Sequence, residues 1–209
     1  MALLSQVPYR AWTLAGVLGL AGSAACAAGV VVQVTDARGA PLADAVVYAL
    51  PAAGKAPPAP AGARAIIDQI DREFVPLVSV MQTGTAVSFP NKDDVEHDVY
   101  SFSPAKRFEI RLYSGVPSKP VLFDKPGLVT IGCNIHDSMV AYVIVVDTPY
   151  FAKTDKAGRA VLETLPPGAW RVSAWHHAMR DPNAQPVQPV QTGAATGPAL
   201  KFMLATETN

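Results

Sequence analysis

The sequence predicts an all-β chain folded as a sandwich of short strands. Three observations lead there. Apolar runs are short and rich in β-branched residues, no stretch sustains a helical period, and Gly and Pro punctuate the runs at Gly84, Pro90, Pro104, Gly115, Pro117 and Pro126-Gly127. Half of the 209 residues are hydrophobic and only 16% are charged, which is ample for the buried cores of one or two domains.

In chain order, residues 1–28 read as an export signal. Met1–Arg10 carries one basic side chain, Ala11–Ala21 is apolar, and Gly22-Ser23-Ala24-Ala25-Cys26-Ala27-Ala28 supplies small residues for cleavage near Ala27 or Ala28. The mature chain then begins close to Gly29, in the periplasm, with no stable membrane span. Two other readings stay open. Lipid attachment at Cys26 is disfavoured by Ser23, where such signals carry an aliphatic residue; an uncleaved anchor is disfavoured because the run passes into the strand-like Val30-Val31-Val32.

Val30-Val31-Val32-Gln33-Val34 and Ala45-Val46-Val47-Tyr48 predict two strands around the turn Asp36-Ala37-Arg38-Gly39-Ala40-Pro41. Residues 51–63, rich in Pro, Ala and Gly, predict a linker. Strands follow at Ile66-Ile67, Phe74–Val80, Thr85–Phe89, Val99–Phe102, Val121–Phe123, Leu128–Ile131 and Met139–Val146. Gln185–Gly197 predicts a loop before a last strand, Ala199–Leu204.

Charge excludes one class of function. The chain carries 17 basic and 17 acidic residues, and losing Arg10 with the signal leaves 16 against 17. Nucleic acid is not an expected partner: no basic stripe with interleaved aromatics occurs, and Lys106, Arg107 and Arg111 read as a solvated face.

The chemistry concentrates in Cys133-Asn134-Ile135-His136-Asp137-Ser138-Met139, with a second imidazole, His97, upstream. One thiolate, two imidazoles and a weak axial thioether form the ligand set of a blue-copper electron-transfer site. Cleavage of the signal removes Cys26 and leaves Cys133 unpaired, which in an oxidising compartment calls for a reason such as metal ligation. Plainer readings exist residue by residue. His97 stands among Asp93, Asp94, Glu96 and Asp98 and reads equally as a solvated loop histidine, Met139 as strand core, and Cys133 as an inert buried thiol. Zinc accepts Cys and His, but a structural zinc site calls for a fourth strong ligand rather than a thioether.

Phe74-x-Pro76, Val80-x-x-x-Gly84, Val87-x-Phe89-x-Asn91, His97, Phe123-x-x-x-Pro126-Gly127 and Cys133-x-x-His136-x-x-Met139 resemble a cupredoxin, over roughly Ala65 to Asp147. The two-residue gaps on either side of His136 resemble amicyanin, the short-loop cupredoxin that accepts electrons from methylamine dehydrogenase, and the proteobacterial methylamine utilisation proteins. The resemblance implies a Greek-key β-sandwich holding one type 1 copper ion, with His97, Cys133 and His136 as equatorial ligands and Met139 as the axial one. It further implies that Asn91 braces the Cys loop from behind the ligands. One position departs: the residue after the first ligand histidine is commonly Asn and is here Asp98, which bears on the brace across the two ligand loops and on the reduction potential.

The flanking segments carry a second pattern. Thr154-Asp155-Lys156-Ala157-Gly158 followed by Leu165-Pro166-Pro167-Gly168-Ala169-Trp170 resembles the carboxypeptidase regulatory-like sandwich, and Val32 to Val47 resembles its first hairpin. The implied organisation is a first hairpin at 29–50, a linker at 51–63, a cupredoxin domain at 64–147 and the remainder of the regulatory-like sandwich at 148–209. The cupredoxin is thus inserted in, or set beside, the second sandwich. Trp175-His176-His177-Ala178-Met179 could hold a second metal, but adjacent residues of a regular strand point to opposite faces, which favours a structural or surface role.

The leading function is a periplasmic one-electron carrier that meets an unidentified redox protein, with a link to amine oxidation in view, and it is not an enzyme. The rival is copper binding or trafficking without electron transfer. A third class, an enzyme using Cys133 as nucleophile with His97 or His136 as base, lacks a third orienting residue.

Overall fold

The computed structural model describes residues 29–193 and 197–207; the expected export signal and Cys26 lie outside them. The described residues are all-β, with seventeen strands and no helix. Among them no helix is long and apolar enough to cross a membrane.

Strands from both ends of the described chain share two sheets. β1 (Val30–Asp36) lies between β14 (Arg159–Leu162), antiparallel, and β17 (Ala199–Leu204), parallel. β2 (Val46–Pro51) lies between β13 (Phe151–Lys153) and β15 (Gly168–Trp175), with β16 (Val187–Thr192) at the far edge. The turns that start these pairings are alike. Asp36 Oδ1 accepts from the amides of Arg38 and Ala40, both at 2.8 Å, and Asp155 Oδ1 accepts from those of Ala157 and Arg159, both at 2.9 Å. Each turn closes through a glycine at positive φ, Gly39 or Gly158. Val30, Val32 and Val34 alternate inward and are fully buried, facing a core that includes Trp170, Val172 and Trp175. β16 corrects the expectation of a loop over Gln185–Gly197: its edge position lets Pro189, which lacks an amide hydrogen, sit opposite Arg171.

Residues 64–146 form the second sandwich. One sheet orders β10 (Val121–Phe123), β7 (Thr85–Ser88) and β3 (Arg64–Ile66); the other orders β6 (Val78–Gln82), β12 (Val140–Val146), β11 (Gly127–Gly132), β8 (His97–Ser103) and β9 (Lys106–Tyr113). A short hairpin, β4 (Asp68–Ile70) and β5 (Glu73–Val75), completes it, so the single strand expected over Phe74–Val80 is two. β9 is not among the expected strands, while Arg107 and Arg111 are exposed as expected. The basic cluster read as a solvated face belongs to a strand in which Phe108 and Ile110 pack on the core while Arg107, Glu109 and Arg111 face out. Between the sandwiches, residues 52–63 have no regular strand, in keeping with their Pro content.

One strand joins the two cores. Ala141, Val143 and Val145 of β12 belong to the inner core, while Ile144 and Val146 belong to the outer one, together with Val78 of β6. Burial on both faces explains the near-continuous apolar run Val140-Ala141-Tyr142-Val143-Ile144-Val145-Val146. The Tyr142 ring lies 5.7 Å from Trp175 and 5.8 Å from His177, and Lys153 Nζ ties β13 to Val78 O at 3.1 Å.

His176 and His177 also differ from expectation. β15 ends at Trp175, so the pair lies in a turn and the rings come side by side, centroids 4.2 Å apart, rather than on opposite faces. His176 bonds Ala43 O through Nε2 at 3.1 Å and receives the Ala178 amide on Nδ1 at 3.2 Å, leaving it no free lone pair. Its role is to tie β15 to the turn before β2.

Candidate metal centre

The ligand loops meet at one end of the inner sandwich. β11 and β12 stay in register up to Gly132 and Val140, so Cys133–Met139 must close a tight link between them. Met139 N bonds His136 O at 2.9 Å, which turns the loop and brings Cys133 and Met139 back into the core, where they are 3% and 1% exposed. Ile135 is left outside at 50% exposure and His136 is partly buried beside it. A Cβ at Gly132 would stand 2.9 Å from the Tyr100 ring, so a side chain there would have to push that ring aside. The other loop ends at His97, the first residue of β8 and fully buried. A register shift between His97 and Val99 against β9 interrupts the alternation there, and His97, Asp98 and Val99 are all buried in succession.

Three of the four expected ligands converge. His97 Nδ1 lies 3.2 Å from His136 Nδ1 and 4.0 Å from Cys133 Sγ, and the three ligating atoms lie within 4.8 Å of one another. His97 Nε2 is 2.7 Å from Asp93 Oδ2. A carboxylate only accepts, so that nitrogen carries the hydrogen, and in the neutral ring Nδ1 is left to turn a lone pair toward His136. Two imidazole nitrogens and a sulfur facing one another at these distances suit a cation once the Cys133 thiol gives up its proton. Nitrogens about 2.0 Å from one tetrahedral ion lie roughly 3.3 Å apart, and a nitrogen and a thiolate at about 2.3 Å roughly 3.5 Å apart, so the two imidazoles stand at ligand spacing and the Cys133 sulfur is set slightly wide of it. Met139 packs in the same buried cluster as Cys133.

Burial pushes the Cys133 thiol above its ordinary value, while the backbone amides of Ile135, Asp98 and His136 pull toward thiolate. For Asp93, burial also pushes up, but the Arg72 amide, the His97 ring and the Asp71 amide together hold the carboxyl below its usual range. Behind them Tyr113 is pushed up to about 12, first by burial and then by Cys133 and Asp98, against the pull of Gln69. Its hydroxyl donates to Phe89 O at 2.6 Å.

The bracing residues differ from the family expectation. Asn91 donates to Val95 O at 2.8 Å and to Tyr113 O at 2.9 Å, and accepts from the Asp93 amide at 3.0 Å, so it shapes the loop that carries His97. The Cys loop is held by Asp98 instead: its carboxylate accepts from the Asn134 amide at 2.6 Å and from the Asn134 side chain at 2.5 Å. The departure from Asn at this position therefore carries a brace of its own. Sequence reasoning missed Asp93 and Asn134, because both contacts depend on chain folding. Asking what orients the His97 imidazole, with an acid four residues before it, would have pointed to Asp93.

No family model and no curated protein matches the chain. Solved structures do. A purple cupredoxin from Nitrosopumilus maritimus aligns at 23% identity over 40% of this chain and 99% of its own, with a TM-score of 0.34. A variant of amicyanin aligns at 16% identity over 49% of this chain and 99% of its own, at 0.37. A pseudoazurin from Hyphomicrobium denitrificans aligns at 23% identity over 40% of this chain and 75% of its own, at 0.34. These partial likenesses leave the chemistry to be argued from the side chains themselves.

Proposed function

We propose that this chain is a type 1 copper protein serving as a one-electron carrier, with His97, Cys133 and His136 as strong ligands and Met139 as the weak axial one. The observation that carries the reading is the convergence of both imidazole Nδ1 atoms and the Cys133 sulfur at one end of a β-sandwich. Copper held there supplies a one-electron couple, and a thiolate, two imidazoles and a thioether are the donors that suit it.

The chain's own part is to hold those donors still. His97, Cys133 and Met139 are buried among strands, and Asp98 locks the Cys loop to β8, so little rearrangement accompanies a change of charge. His136, at the partly exposed edge beside Ile135, is the route for the electron toward a transient redox partner of the kind that buries a small surface. We place the protein in the periplasm and leave open a link to amine oxidation. The ligand end is the working part of an inserted unit, residues 64–147, while 29–50 and 148–209 form the sandwich around it. A trafficking role would favour ligands open to exchange, and here His97 is 0% and Cys133 3% exposed. Asp93 supplies the orienting residue that a Cys133–His97 nucleophile pair would need, but Cys133 at 3% exposure offers a substrate little access to its sulfur, which weighs against an enzyme.

Reconstitution with cupric ion tests this. An intense thiolate-to-copper band and a reversible redox couple are expected, and Cys133→Ser should abolish the band while the far-UV circular dichroism of a β-protein persists. A variant that kept the band would sink the copper assignment, and a colourless, tightly bound cuprous form would favour trafficking.

A further inference from the structure

We propose that the tip of the β4–β5 hairpin is a backbone cradle for the Asp93 carboxylate, and that Asp93 is the positioning residue that selects the tautomer of His97. This rests on the reading of His97 as a metal ligand. Ile70 pairs with Glu73, which leaves Asp71 and Arg72 as a two-residue turn. Both have positive φ, 54° and 60°, the conformation that matches the twist of a tight hairpin but that a residue with a side chain adopts at a cost.

That conformation has a use. Successive amides in such a turn point into one concavity, which suits an anion. The Asp71 amide donates to Asp93 Oδ1 at 2.6 Å and the Arg72 amide to Asp93 Oδ2 at 2.9 Å. Oδ2 also receives His97 Nε2 at 2.7 Å, and the Asp93 side chain is 10% exposed. The hairpin is itself fixed to the Asp93 loop. Lys92 N bonds Gln69 O at 2.9 Å, and Lys92 Nζ pairs with Asp68 at 2.8 Å. The cradle thus aims a carboxylate at one ring nitrogen and leaves the other, Nδ1, as the lone pair in the site. A carboxylate behind a ligand imidazole also raises its basicity, so removing it should weaken metal binding and favour the reduced ion.

Asp93→Ala and Asp93→Asn test this. Nitrogen-15 NMR of the metal-free protein reads the tautomer directly, and His97 is expected with its hydrogen on Nε2 in the wild type and as a mixture in Asp93→Ala. Cobalt(II) and cuprous affinities, by competition, should fall about 10- to 100-fold, with an upward shift in reduction potential. Asp93→Asn keeps the shape but cannot accept from both amides and the imidazole; it should show a partial loss of each and serves if the alanine variant does not fold. Wild-type tautomer and affinity in the variants would overturn the proposal. A wild type with hydrogen on His97 Nε2 that bound no copper would sink the electron-carrier reading and leave the positioning role standing.

Discussion

Replacing Ile144 by alanine asks whether the two sandwiches unfold as one. Ile144 is 2% exposed and lies on the face of β12 turned to the outer core, while its neighbours Val143 and Val145 serve the inner one. The substitution removes three carbon groups, at about 0.8 kcal/mol each, or roughly 2.4 kcal/mol. A strand paired on both sides cannot collapse into the space, so a cavity term raises the expected loss toward about 4 kcal/mol. At about 2–4 °C per kcal/mol for a chain of this size, a loss near 3 kcal/mol lowers Tm by roughly 6–12 °C.

Two probes report on the two cores. In a chain starting at Gly29, Trp170 and Trp175 are the only tryptophans and both sit in the outer core, while the Cys133 thiol sits in the inner one and becomes open to labelling only when that core opens. Urea denaturation of the metal-free protein, followed by fluorescence and by thiol labelling, should give coincident transitions that move together in the variant. Separate midpoints, or a loss under about 1 kcal/mol, would refute the coupling. The same contact bears on a fragment of residues 65–147: it carries all four ligands but exposes Val78, Ile144 and Val146, so it should be less stable than the inner unit of the whole chain.

Gly158→Ala should destabilise the outer sandwich by at least about 2 kcal/mol in denaturation followed by tryptophan fluorescence, because its Cβ would collide with Val34 O at a φ of +72°. Gly39→Ala, at a φ of +85° with nothing within 4 Å, should cost only the conformational term, about 1 kcal/mol, and equal losses at the two sites would contradict the packing argument. Stability of the metal-free protein should fall on acidification, because burial holds His177, and burial plus its neighbour His177 holds His176, below the ordinary 6.5. A histidine depressed in the native state leaves the unfolded chain binding more protons, so stability is full above about pH 6.5 and declines below it, by at most about 1.4 kcal/mol per pH unit and group. His177→Phe keeps a ring against Tyr142 and removes one such group, so the loss between pH 7.5 and pH 5.5 measured by urea denaturation should shrink; an unchanged loss would discount His177.

Much of the site was legible because its key spacing is local. Cys133, His136 and Met139 lie in one seven-residue link, and a turn between two paired strands leaves few ways to arrange them. The strands were legible for the same reason, since β-branched runs between Gly and Pro report their own backbone preference. Where composition misled, geometry explains it. β9 hid among charges because an edge strand shows one face to water, and β16 hid behind Pro189 because an edge strand can spare an amide.

What tertiary structure alone decided are contacts between residues distant in sequence. The Asp71 and Arg72 amides reach Asp93 across 22 and 21 positions, and Asp98 reaches Asn134 across 36. No periodicity encodes such meetings; they exist once the hairpin, the ligand loop and the Cys loop stand at the same end of the sandwich. The sharing of β12 between two cores, and the turn that sets His176 beside His177, are of the same kind. Sequence determined which atoms could bind a metal, through residue type and local spacing. The fold determined which nitrogen of His97 is offered and what holds the Cys loop, because hydrogen bonding depends on position and direction in three dimensions.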